Sequence, residues 1–200
     1  MAKVLILLLT LIAVLASKGG VGKSTLSILL YEALRKAGKS VAIRDWDLQG
    51  TSNKALRLIQ GEQATLTTTY DVVIYDTPPR LDHSATLGAV KNADITLVVT
   101  SPSPADTWEA EEAVQFARSK NDKTTVRLVF NKVRKGTVLG RLVDESAKRM
   151  SVPTLKPMLS YRECYQHAIG QGWKALDGAA REEVLAFALA VMALTKKIIT

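Results

Sequence analysis

Two hundred residues, 47 % apolar and 23 % charged, suit one domain, taken as residues 1–200, with a sizeable core. One cysteine, Cys164, excludes a disulfide framework or a cysteine-based metal cluster and fits a reducing, cytoplasmic compartment. The net charge of +8 is uneven, residues 1–117 balancing at −1 and residues 118–200 at +9. The second half therefore offers either scattered surface lysines or a basic face for a polyanion.

The chain opens on an apolar run, residues 4–16, broken only by Thr10 and preceded by Lys3. It superficially suggests a signal peptide, but it is too short to cross a bilayer as a helix, and cleavage near Ala16 would remove a core strand. Residues 1–9 are an extension to which the residues assign no function. Strands are predicted at 12–16, 40–44, 72–75, 95–100 and 125–131, with a weaker one at 154–156. Helices are predicted at 24–37, 51–59, 84–91, 107–119, 138–150, 161–170 and 179–197. This alternation predicts an α/β fold, a mostly parallel twisted sheet with helices on both faces. Residues 61–70 read as a surface loop or a weak edge strand. Residues 184–194 are uncharged and apolar throughout, which suits burial against the sheet better than an amphipathic membrane helix.

Residues 17–25 read Ser-Lys-Gly-Gly-Val-Gly-Lys-Ser-Thr between a predicted strand and a predicted helix. That is a phosphate-binding loop, with backbone N–H groups of Lys18, Gly19, Gly20, Val21, Gly22, Lys23, Ser24 and Thr25 available to an anion at a helix N-terminus. Gly22-Lys23-Ser24 fits the second half of the usual pattern, Ser17 stands where the first glycine is expected, and Gly19 and Gly20 are expected to give the turning freedom. Lys18 is an additional lysine, five residues before Lys23.

This run resembles the deviant phosphate loop, K-G-G-x-G-K-[ST], of the ParA/MinD family of P-loop ATPases. The resemblance implies ATP and Mg²⁺ as cofactors, and a homodimer in which Lys18 reaches the partner's nucleotide. It also assigns the remaining motifs. Asp45-Trp46-Asp47-Leu48-Gln49-Gly50 resembles the family's first switch, with Leu48 where a proline is usual. By that match Asp47 orients the attacking water, Lys23 contacts the phosphates, and Asp45 supports the metal shell. Asp76-Thr77-Pro78-Pro79 resembles the second switch, with Asp76 and the Ser24 hydroxyl holding Mg²⁺. Asn131 would read the adenine edge; Arg134 stands where a guanine reader of the N-K-x-D type needs a carboxylate. Residues 100–106 resemble a proline-containing loop that builds a dimer or polymer interface, and read equally well as the lead into a helix.

The lone cysteine argues against relatives with cysteine-held clusters or zinc. The chain resembles a small ParA-type ATPase most. That resemblance implies an ATP-bound dimer on nonspecific DNA, associated with the nucleoid. Hydrolysis would be stimulated by a ParB-like or other adaptor on the cargo, a plasmid, chromosome or protein body. Candidate DNA contacts are Arg134, Lys135, Arg162, Lys174, Arg181, Lys196 and Lys197. A MinD-like membrane-associated regulator and a metabolic enzyme of dethiobiotin synthetase type remain as alternatives, with membrane association the less expected.

Overall fold

The computed structural model describes residues 9–65 and 68–195; residues 1–8 of the extension at 1–9 and the candidates Lys196 and Lys197 lie outside them. Five strands form one parallel sheet: β1 (Thr10–Leu15), β2 (Val41–Asp45), β3 (Val72–Asp76), β4 (Ile95–Thr100) and β5 (Thr125–Phe130), in the order β2-β3-β1-β4-β5. Among the described residues seven α-helices accompany them: α1 (Lys23–Lys36), α2 (Thr51–Leu58), α3 (Ser84–Asn92), α4 (Pro104–Lys120), α5 (Val138–Arg149), α6 (Glu163–Gln171) and α7 (Gly178–Thr195), with a short 3-10 turn (Gly172–Ala175) after α6. A parallel sheet covered on both faces buries its strands completely, and β3 and β4 are buried at every position.

The larger core lies between one face of the sheet and α1, α2, α6 and α7. Apolar residues recur on α7 at helical spacing, so Val184, Phe187, Val191 and Leu194 all face inward. Phe187 is fully buried and contributes roughly 2–3 kcal/mol by its removal from water. The last helix is thus a core helix, although its outer side leaves Leu189 exposed. On the other face α4 and α5 cover β4 and β5, while a smaller cluster around Ala13, Val73 and Tyr75 packs under α3.

The weaker strand expected at 154–156, and the stretch 61–70 read as a surface loop or a weak edge strand, form only isolated bridges. The segment near Thr154 bridges β5 at Leu128, which donates to the Pro153 carbonyl at 3.1 Å, and the chain meets β5 again where the Leu159 N–H donates to the Phe130 carbonyl at 3.0 Å. Prolines at 153 and 157 remove donors that a longer ladder would need. Likewise, Gln63 bridges to Ile43, with Ala64 donating to the Ile43 carbonyl at 2.9 Å. Both edges of the sheet are therefore only partly covered by backbone.

Candidate functional site

The order of the strands reverses at β1: the chain leaves it for β2 and β3 on one side and crosses back to β4 and β5 on the other. A ligand in such a sheet binds beyond the carboxyl ends of the strands at this switch point. Residues 16–22 form the phosphate loop there. Turning freedom comes from Gly20 and Gly22, with φ of +84° and +98°, and not from Gly19 as expected. Gly22 matters twice: a side chain added there would collide with the Asn131 amide. Gly22 ends the loop in a left-handed conformation and α1 starts at Lys23, so its free N–H groups face the loop's concavity.

Lys23 is buried, and its Nζ donates to the Lys18 carbonyl at 3.1 Å. Burial lowers its pKa, opposed by the Asp76 and Asp47 carboxylates nearby. Lys18 turns the other way. Its ammonium pairs with Asp106 on the first turn of α4 and lies 3.6 Å from Glu109. Hydrogen bonding to Asp106 raises the Lys18 pKa. Ser17, at the expected glycine position, donates to the Glu109 carbonyl at 3.1 Å and so fastens the loop's entry to α4.

Asp76 ends β3 and is almost fully buried. One carboxylate oxygen accepts from the Ser52 hydroxyl at 2.5 Å; the other, Oδ1, is buried without a protein partner. Burial pushes its pKa up to about 6, although the Ser52 hydrogen bond and the nearby Ser24 hydroxyl oppose the rise. An orphaned buried carboxylate oxygen beside the Ser24 hydroxyl fits a hard divalent cation. No cage of three or more acidic, His or Cys ligands exists among the described residues, and Mg²⁺ on a nucleotide needs none, because phosphates and water complete its octahedron.

Asp45 pairs in register with Asp76. Its two oxygens accept from the backbone N–H groups of Asp47 at 3.0 Å and Asn53 at 2.9 Å. It therefore holds the backbone of the loop after β2 in place, with its oxygens turned toward that loop. Asp47 accepts from the Gln49 N–H at 3.0 Å and lies close enough to Lys23 to influence it. Between them Trp46 donates its backbone N–H to the Asp76 carbonyl at 2.9 Å and stacks on Tyr75, ring centroids 4.9 Å apart. Leu48 projects into solvent with 96 % of its surface exposed. In the second switch Thr77 donates to the Val14 carbonyl at 2.8 Å, tying that loop to β1.

Asn131, expected at the adenine edge, has its amide engaged at both ends: Nδ2 donates to the Val21 carbonyl at 3.0 Å and Oδ1 accepts from the Lys132 N–H at 2.9 Å. Lys132 itself reaches the Gly20 carbonyl at 2.6 Å. Sequence reading singled out neither Lys132 nor Ser52, because an exposed lysine and a helix-start serine carry no pattern of their own. The basic candidates divide. Arg162 lies between Asp177 and Glu183, 4.0 and 3.8 Å away, and Arg181 sits over Trp173. Arg134, stacked on Tyr161, is exposed with Lys135 and Lys174.

A parallel sheet carrying this loop at its switch point, with two aspartates ending the adjacent strands, defines a P-loop nucleotide-binding protein. The chain belongs to the CobQ/CobB/MinD/ParA nucleotide binding domain family, whose model matches residues 12–173. It is 27 % identical over 198 residues to maintenance of carboxysome distribution protein A of Halothiobacillus neapolitanus, covering 85 % of this chain and 88 % of that one. Its fold is similar to the septum site-determining protein MinD of Pyrococcus horikoshii in complex with Mg-ADP, with TM-score 0.79 and 16 % identity over 96 % of this chain and 99 % of that one. It is also similar to a plasmid partition protein of Borrelia burgdorferi bound to AMPPNP, with TM-score 0.74 and 17 % identity over 92 % and 98 % of the two chains.

Proposed function

We propose that the protein is a positioning ATPase that binds ATP with Mg²⁺, dimerises around it, holds nonspecific DNA in that state and lets go on hydrolysis. The observation that carries this reading is the divergence of the two lysines. Lys23 is buried in the phosphate cup, whereas Lys18 points out of its own loop toward α4. A cation turned away from its own phosphate cup can trade its carboxylate partner for the phosphates of a second copy, which is the logic of a charge supplied in trans. The ligands in the structures similar to this one, Mg-ADP and AMPPNP, and the carboxysome-distribution relative support the same class of activity.

Lys23 and the N–H groups of the loop bind the phosphates. Asp76 and Ser24 would hold Mg²⁺, which neutralises charge on the β- and γ-phosphate oxygens when bound. Asp47 orients the water that attacks the γ-phosphorus, and Lys18 of the second copy stabilises the charge that develops. The product is ADP and phosphate. The cargo is a plasmid, a chromosome or a protein body carried by an adaptor.

DNA contacts fall to Arg134, Lys135 and Lys174, which have no acidic partner among the described residues, before Arg162 and Arg181, which do interact internally. Binding of two unrelated duplexes, measured with ATP and with ADP from about 50 to about 300 mM salt, tests the reading. The expected outcome is ATP-dependent binding with equal affinity for both sequences and a salt slope near −0.9 per neutralised phosphate. Salt-insensitive binding that ignores the nucleotide sinks it. The membrane alternative has less support, because α7 buries its apolar face against the sheet.

A further inference from the structure

Lys132 follows β5 with a φ of +58°, in the left-handed region that a side chain disfavours. Such a conformation persists where surrounding contacts impose it, and these sites concentrate near function. Here the contacts are explicit. Lys132 Nζ donates to the Gly20 carbonyl at 2.6 Å, and Asn131 Nδ2 donates to the next carbonyl, Val21, at 3.0 Å. Asn131 Oδ1 accepts from the Lys132 N–H at 2.9 Å, so the two residues brace each other. Gly22 then has no room for a side chain, because the Asn131 amide lies against it.

The consequence follows from the peptide bond. In a trans peptide the C=O and N–H point in opposite directions. Fixing the carbonyls of Gly20 and Val21 on the β5 side aims the N–H groups of Val21 and Gly22 away from it, into the concavity where an anion binds. Left alone, a loop containing two glycines in positive φ would sample many orientations, and ordering it would weaken binding.

We infer that Asn131 and Lys132 form a strap that pre-orients two phosphate-binding N–H groups, and that Lys132 is a positioning residue for nucleotide affinity and not a DNA contact. This reverses what its place in the basic half suggests, and it gives Asn131 a role toward the phosphates instead of the base. The inference rests on the nucleotide-binding reading of the loop.

Three variants test it. Lys132→Met keeps the apolar stem and removes the donor. Lys132→Asn tolerates the left-handed backbone but cannot reach Gly20. Lys132→Arg keeps a cation. Calorimetric titration with Mg-ADP and with Mg-GDP should show about a tenfold loss of affinity in the Met and Asn variants, equal for the two bases. Amide exchange at Val21 and Gly22 should speed up in the nucleotide-free Met and Asn variants. The nucleotide-free melting temperature of Lys132→Asn should stay level or rise, since strain is relieved. At saturating ATP, DNA affinity should be unchanged in all three. Wild-type nucleotide affinity in both Met and Asn variants overturns the strap, as does a loss confined to one base. A loss of DNA affinity at saturating ATP in Met and Asn, restored in Arg, overturns it in favour of a charge contact. Failure of the unsubstituted protein to bind either nucleotide sinks the parent reading along with it.

Discussion

Lys18 is held in its own chain by Asp106, and Asp106 is held in turn by the Ser101 hydroxyl at 2.5 Å. Burial works against the Asp106 charge, but the Lys18 ammonium and the Ser101 hydroxyl keep its carboxyl below the usual range. The lysine proposed to reach a partner's phosphates is therefore engaged until it exchanges one anion for another. A triphosphate carries more charge than one carboxylate and can win that exchange, whereas an empty partner site cannot.

Lys18→Gln should fold normally and lose ATP-dependent dimerisation and turnover, as followed by light scattering and phosphate release. Asp106→Asn should act oppositely, freeing the lysine and raising dimer formation severalfold at limiting ATP. Identical dimerisation in both variants and in the unsubstituted protein rules out the exchange.

Asp47→Ala should leave ATP affinity within about twofold while hydrolysis falls by roughly two to three orders of magnitude, the scale of removing one group that acts only in the transition state. An ATP-bound dimer should accumulate. Loss of nucleotide binding alongside turnover would instead place Asp47 with the ligand-holding groups.

Asp76 makes stability depend on pH. Its folded pKa, about 6, lies above the ordinary aspartate value of 3.8. The folded state thus favours the protonated form, and stability falls as pH rises through that window, with the full penalty present above pH 6. The penalty is on the order of 3 kcal/mol. Nucleotide-free Asp76→Asn should therefore be more stable than the parent at pH 8, with the advantage vanishing toward pH 4, while Mg²⁺-dependent turnover is lost. Urea unfolding at a series of pH values measures it; a gain independent of pH would assign the effect to packing.

Phe187→Ala should destabilise by about 3–5 kcal/mol, the usual cost of emptying a fully buried aromatic site. Leu189→Ala, on the exposed side of the same helix, should cost little. Equal losses at both positions in chemical denaturation would mean that α7 carries a second buried face.

Motifs with fixed chemistry were legible in the chain. The run from Lys18 to Ser24 and the acid that closes β3 point to a phosphate site because few other arrangements use those residues in that order. The alternation of apolar runs with helical stretches likewise gave the parallel sheet. What stayed hidden depends on distance in space. Asp106 lies far along the chain from Lys18, and its role emerges only when α4 starts beside the loop. Ser52 becomes a partner of Asp76 only because α2 begins above β3. The contact of the Asn131 amide with the Val21 carbonyl, 110 residues earlier in the chain, is likewise visible only in space. The short bridge at Thr154 shows the remaining limit: prolines cap a ladder whose apolar pattern alone would extend it.

Trp46 stands between Asp45 and Asp47, half-buried, with its indole stacked on the ring next to Asp76. The other two tryptophans are separable: Trp108 is 72 % exposed on α4, and Trp173 lies in the short turn after α6. Replacing both with phenylalanine would leave a protein with one optical reporter at the joint of its two switches. Its emission would follow the first switch in real time, so loading, dimer formation and hydrolysis could be timed in solution without attaching a dye.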